Sequence, residues 1–248
     1  MNHSDGWQAL LTKGCVIRLV EDDIYSALPD VQHTHLYDKR ATAYDAVVGT
    51  WLYNRVMWGT SPADYVTFAR EALDSHPKGR MLDAACGSLL FTAQSYLASN
   101  RQIIAFDQSL QMLKRARARL IQLAGAFPEH IVLLQADLSN VVFQPATFDT
   151  VLCMNVLHQF AAATELIPKL RGLLVNRGQL YLTSLVSNGR YVGDRWLAAL
   201  YKTGEFVRPR TSAELSKLLG DSVSETSYRT KGNMAFATLV ANRETPDA

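Results

Sequence analysis

The chain has 248 residues, 48% apolar and 19% charged, a balance that excludes a disordered chain and allows one substantial core. Its 25 basic and 23 acidic side chains leave a formal charge of +2, too small a surplus to imply a nucleic-acid partner. Cys15, Cys86 and Cys153 are odd in number and lack the paired spacings of zinc sites; they read as reduced thiols of a cytoplasmic protein with no metal. The N-terminal stretch has no apolar signal core, and no window approaches the ~20 apolar residues of a membrane span.

In chain order, the first 78 residues hold two aromatic-rich helical segments, 38–58 and 61–75. The second opens on Ser61 and Pro62, a cap followed by a first-turn proline. Residues 1–78 are expected to form a helical cap belonging to the same domain as the rest. From residue 79 to 248 the pattern changes to a core of alternating strands and helices. The strand runs are "RMLDAA", "QIIAFD", "HIVLLQAD", "FDTVLCMN" and "GQLYLTSLV", with helical runs "LLFTAQSYLASN", "SLQMLKRARARLIQLAGAF" and "TELIPKLRGLLV" between them. Residues 187–210 are too long for a plain connection and are expected to form a substrate-side insertion. After the helix "TSAELSKLLG", the runs "DSVSETSYRTK" and "MAFATLVAN" flank Gly232 and Asn233, a hairpin-sized link. The expected fold is α/β: a Rossmann-like, doubly wound, seven-stranded sheet ending in a C-terminal antiparallel hairpin.

Ligands of such a sheet sit beyond the carboxyl ends of the strands, and those ends carry Asp83, Asp107, Asp137 and Asn155. Asp107 follows Asp83 by 107 − 83 = 24 residues, near the ~20-residue offset of a ribose-binding acid. Asp137 is placed to accept from an exocyclic amine. Between the first strand and its helix stands "DAACGSLL", which offers one glycine where a nicotinamide-binding turn has three, so a dehydrogenase is disfavoured. The basic run Lys114, Arg115, Arg117 and Arg119 reads as a solvated helix face rather than an RNA site.

Four motifs, "MLDAACGS", "IIAFDQSLQMLKRA", "LQADLSN" and "FDTVLCMNVLHQF", resemble in order and spacing those of the class I S-adenosylmethionine-dependent methyltransferases, over about residues 78–186. The style of the chain is similar to the small-molecule branch of methyltransferase type 11 and quinone-biosynthesis enzymes. The resemblance implies S-adenosyl-L-methionine as cofactor and S-adenosyl-L-homocysteine as product. It implies cofactor contacts at Asp83, Ala84, Ala85, Gly87, Asp107, Gln108, Met112, Asp137, Leu138 and Asn155. Tyr37 and Tyr44, from two "YD" pairs, join them. The methyl acceptor is expected to be a small organic molecule with an O, N or C nucleophile. His158 is the candidate general base, and Trp58, Tyr191 and Arg195 with His158 are the candidate acceptor contacts.

The chain departs from the family at two glycine positions, held here by Ala85 and Leu89. Ala85 is a mild change wherever φ stays negative. Leu89 is expected either to shield the methionine arm or to narrow the pocket. The eroded glycines motivate two other readings beside the enzyme, a catalytically silent cofactor-binding scaffold and, with less support from charge, an RNA methyltransferase. Whether two chains pair as a homodimer is left open by the sequence.

Overall fold

The computed structural model describes residues 6–29, 50–160, 162–204, 206–220 and 226–242. Among these, nine strands form one mixed sheet in the order β1-β2-β5-β4-β3-β6-β7-β9-β8. The parallel centre is β3 (Met81–Ala84), β4 (Ile103–Asp107), β5 (Ile131–Gln135), β6 (Phe148–Cys153) and β7 (Leu174–Leu185). The chain runs outward from β3 through β4 to β5, then crosses to the other side of β3 for β6 and β7. That reversal leaves a crevice between β3 and β6, where ligands of doubly wound sheets bind.

The centre strands are buried on both faces, which is why their sequences run apolar instead of alternating. β9 (Met234–Val240) lies antiparallel on β7, and β8 (Thr226–Lys231) antiparallel on β9. Gly232 and Asn233 make the turn between them, as their spacing suggests. The turn is also a clamp. A Cβ on Gly232, at φ +59°, would stand 1.9 Å from the Trp58 carbonyl oxygen. The buried Asn233 amide donates to the Val186 carbonyl and to Asp194, and Arg190 donates to Asn233 Oδ1. Asp194 belongs to α5 (Tyr191–Lys202), so this helix of the late insertion is tied to the hairpin.

Among the described residues, six α-helices of five residues or more accompany the sheet: α1 (Pro62–Ser75), α2 (Ala93–Leu97), α3 (Leu110–Ala124), α4 (Ala163–Gly172), α5 and α6 (Ser212–Gly220). α1 starts with a capping box in which Asp64 accepts from the Ser61 backbone N–H at 2.8 Å. A short helical turn, Trp51–Tyr53, continues into a π-helical turn, Asn54–Trp58. No helix among the described residues is long and apolar enough to cross a membrane.

The structure corrects the strand count and the all-helical reading of the N-terminal region. Arg18–Glu21 (β1) and Ile24–Ser26 (β2) form a hairpin, and β2 pairs in parallel with β5. The reason lies partly in distant residues. Trp7 is buried against Tyr25 with ring centroids 5.1 Å apart. On α3, Lys114 pairs with Glu21 at 2.7 Å and Arg117 with Asp23 at 3.0 Å. Two members of the basic run therefore secure the hairpin instead of facing only water.

Candidate functional site

A cleft of about 440 Å³ opens at the carboxyl ends of β3, β4 and β6, at the topological switch point. Its polar wall is built by the chain reversals that end three strands. Asp107 closes β4 and lies along the wall, accepting from the Gly87 N–H at 2.9 Å and the Ser109 N–H at 2.8 Å. Ser109 in turn caps α3 by accepting from Met112 N–H. One carboxylate thus joins the β3 loop to the next helix start. Asp137, past the end of β5, accepts from the Ser139 N–H at 2.8 Å. Asn155, past β6, is held by Thr183: its N–H donates to Thr183 Oγ1 at 2.8 Å, and that hydroxyl donates to Asn155 Oδ1 at 3.0 Å.

Asp83 is the most deeply set of the three acids, 2% exposed, with Oδ2 accepting from Tyr96 OH at 2.7 Å. Burial raises its pKa to about 7, the nearby Asp107 charge adds to the rise, and the Tyr96 hydrogen bond opposes it. Asp107 is raised too, by burial, against the backbone hydrogen bonds it accepts. Between these acids the Cys86 thiol is pushed well up, chiefly by burial, which keeps it protonated and unreactive.

The cleft brings together Asp83, Ala85, Gly87, Asp107, Gln108, Met112, Asp137, Leu138 and Asn155 of the anticipated cofactor residues. Ala84 does not line it; its side chain is fully buried in the core. Tyr37 and Tyr44 lie outside the described residues. The four acceptor candidates also stand apart from the lining. Trp58 is buried edge-on against Tyr53, and Tyr191 is 73% exposed with Arg195 over its ring. His158 sits on the cleft loop but turns inward, where its Nδ1 accepts from the Leu185 N–H and Phe206 packs against the ring. Burial, helped by the Arg210 charge, lowers its pKa to about 3. A neutral, inward-facing imidazole of this kind is poorly suited to the general-base role expected of it.

The cleft mouth is made instead by Leu90, Phe91, Met154, Val156, Gln159 and Phe160. Sequence reading did not single out these residues, although Leu90 and Phe91 closely follow the β3 motif and the other four lie within the β6 motif. Arg210 holds that side of the cleft by donating to the Leu157 and Phe160 carbonyls.

The loop after β3 carries an unexpected conformation. Ala85, Gly87 and Leu89 all have positive φ, +60°, +56° and +54°. Ala85 is therefore not the mild change that a negative φ would make it. Neither expectation for Leu89 holds: its side chain is fully buried in the core and does not line the cleft. The left-handed region costs a non-glycine residue roughly 1–2 kcal/mol. Ala85→Gly is accordingly expected to stabilise the fold by up to about 1 kcal/mol, since the added chain entropy of glycine offsets part of the relief. Leu89→Gly relieves the same strain but empties a buried leucine site worth about 3 kcal/mol or more, so it should destabilise. Urea unfolding of both variants checks the opposite signs.

Residues 82–180 match the family model described as a methyltransferase domain. This segment carries a methyltransferase domain, and its fold is that of solved methyltransferases. The methyltransferase domain accounts for the four strand-end motifs and the position of the cleft. The chain is 30% identical over 150 residues to a ubiquinone biosynthesis O-methyltransferase of Xanthomonas euvesicatoria pv. vesicatoria, a match covering 56% of this chain and 60% of that protein. It is also 30% identical over 145 residues to human methyltransferase-like protein 27, covering 58% of this chain and 54% of that one. The chain thus spans less than two thirds of these relatives. In fold it is similar to Haemonchus contortus phosphoethanolamine N-methyltransferase 2, solved with S-adenosyl-L-methionine. That likeness has a TM-score of 0.64 and 13% identity, covering 86% of this chain and 59% of that one. A geranyl diphosphate methyltransferase in complex with GPP and sinefungin gives a TM-score of 0.57 at 12% identity, covering 73% and 78%.

Proposed function

We propose that the chain binds S-adenosyl-L-methionine in this cleft and transfers its methyl group to a small, uncharged organic acceptor. One observation carries the reading: Asp83, Asp107 and Asp137 line the cleft, and no Lys, Arg or His does so among the described residues. Such a wall favours a cationic ligand and disfavours one bearing a pyrophosphate. The residues fit the cofactor in a second respect. A Cβ on Gly87 would meet nothing within 4 Å, so this loop position opens onto free space that a ligand can fill.

When bound, the cofactor supplies an electrophilic methyl group on a positively charged sulfur. Asp107 is suited to accept from ribose hydroxyls and Asp137 from the adenine amine. Asp83, raised to about 7, can give up its proton when an ammonium group lies beside the loop and so become its counter-charge. The apolar mouth residues Phe91, Met154, Val156 and Phe160 exclude water from an aligned nucleophile, and Gln159 offers one polar contact. The names of the Xanthomonas relatives favour a hydroxyl oxygen as the nucleophile. Among the described residues no titratable side chain stands with these apolar lining residues as a base, so the acceptor is one that reacts as the neutral molecule and passes its proton to solvent after transfer.

The test is a radiolabelled methyl-transfer screen against neutral phenols, amines and carboxylates at matched concentrations. Transfer to uncharged phenolic acceptors is the expected result. Exclusive transfer to charged acceptors contradicts the acceptor class, and cofactor binding with no transfer at all supports the silent-scaffold alternative.

A further inference from the structure

We propose that Arg119, three residues beyond the second methyltransferase motif on α3, is a positioning residue that holds the cofactor loop in its left-handed conformation. The inference rests on the cofactor reading above. Within five residues this loop places Ala85, Gly87 and Leu89 at positive φ, and only one of the three is glycine. A chain with side chains at the other two positions has other conformations open to it, so something outside the loop must select this one.

The first half of the loop is held by the neighbouring strand β4. Cys86 N–H donates to the Phe106 carbonyl at 2.9 Å, and Gly87 N–H donates to Asp107 Oδ2 at 2.9 Å. The second half is held from α3. Arg119 Nη1 donates to the Ser88 carbonyl and, at 3.0 Å, to Ser88 Oγ. Ser88 is 4% exposed, lines the cleft and lies between the left-handed Gly87 and Leu89. Fixing both its carbonyl and its hydroxyl constrains the peptide on either side. The buried Leu89 side chain anchors the next residue in the core.

The helix closes the circuit. Asp107 accepts from the Ser109 N–H, Ser109 caps α3, and Arg119 returns from the third turn of that helix to the loop that Asp107 also holds. A charged donor on a carbonyl is stronger than a neutral one, and its planar fork loses little freedom on binding. Arg119 thus supplies from a distance the loop geometry that glycines would permit locally.

A double-mutant cycle tests this by calorimetric titration with S-adenosyl-L-methionine, using the wild type, Arg119→Met, Ala85→Gly and the double variant. Arg119→Met keeps the aliphatic stem, removes the donors and should weaken binding about tenfold. Ala85→Gly alone sets the effect of that substitution in the wild-type background, and in the Arg119→Met background it should recover most of the loss, because glycine removes one conformational penalty. A purely structural arginine would not be rescued in this way. Wild-type affinity in Arg119→Met overturns the inference, as does an equal effect of Ala85→Gly in both backgrounds. If thermal melting shows Arg119→Met unfolded, Arg119→Lys carries the same cycle with the same rescue expected. A wild type that binds no cofactor overturns the cofactor reading itself and this inference with it.

Discussion

Arg101→Met is expected to destabilise the protein by about 3–5 kcal/mol, the cost of leaving five buried acceptors without their charged donor. The guanidinium is 2% exposed and reaches five acceptors. It donates to the carbonyls of Gly79 at 2.9 Å, Ala72 at 3.1 Å, Leu73 at 2.8 Å and Arg80 at 3.3 Å, and to Thr150 Oγ1 at 3.0 Å. Ala72 and Leu73 lie in the last turn of α1, where carbonyls lack helical partners and the helix dipole favours a cation. Gly79 and Arg80 lead into β3, and Thr150 lies on β6. One side chain therefore joins a helix end to the two strands that flank the crevice, at the end of the sheet opposite the cleft. Methionine fills similar volume but leaves the carbonyls without donors. Urea unfolding should show the loss, with a melting temperature lower by roughly 10 °C for a chain of this size. A loss below about 1 kcal/mol would mean that water or relaxation replaces the network. Arg101→Lys keeps the charge but not the planar fork, so it should recover only part of the stability.

Asp83→Asn should act in the opposite direction, and with a pH signature. In the folded protein the Asp83 carboxyl is raised from its ordinary 3.8 to about 7, chiefly by burial. The folded state therefore holds a proton that the unfolded state releases. The stability this contributes is complete below about pH 3.8 and is lost as pH rises through about 7. At ~1.4 kcal/mol per unit, the full loss approaches about 4 kcal/mol. Asparagine cannot ionise, and its oxygen still accepts from Tyr96. The variant should gain about 3 kcal/mol relative to the wild type between pH 5 and pH 8. Thermal melts without ligand at the two pH values measure the difference directly. An advantage that does not grow with pH would show that Asp83 titrates like an exposed carboxyl. The same variant is expected to bind the cationic cofactor less tightly, which makes Asp83 a place where stability is given up for function.

The strand ends were legible because their chemistry is local. Apolar β runs stop at Asp83, Asp107 and Asp137, and the switch-point rule converts three stops into one wall. The hairpin at Gly232 and Asn233 was legible for the same reason, as a short link between two β runs. The first hairpin was not, since β1 is only four residues long and mostly exposed, and its attachment depends on Lys114 and Arg117 almost a hundred residues away. His158 shows the limit differently. Its motif places it on the cleft loop, but its inward turn is decided by the Leu185 N–H and the Phe206 ring, neither of which periodicity can bring to it. At Ala85 and Leu89, residue identity argued against left-handed backbone. The packing of Leu89 and the restraints on Ser88 and Gly87 override that local preference.

Cofactor choice is the point on which the wall of carboxylates makes its sharpest statement. Calorimetric titration of the wild type with S-adenosyl-L-methionine and, separately, with NADH at pH 7.5 reads it directly. Saturable one-to-one binding of the sulfonium cofactor, with no heat from the dinucleotide, is the result expected from Asp83, Asp107 and Asp137 in a cleft without a lining cation among the described residues. Binding of NADH, or no binding of S-adenosyl-L-methionine by protein that melts cooperatively, would contradict it.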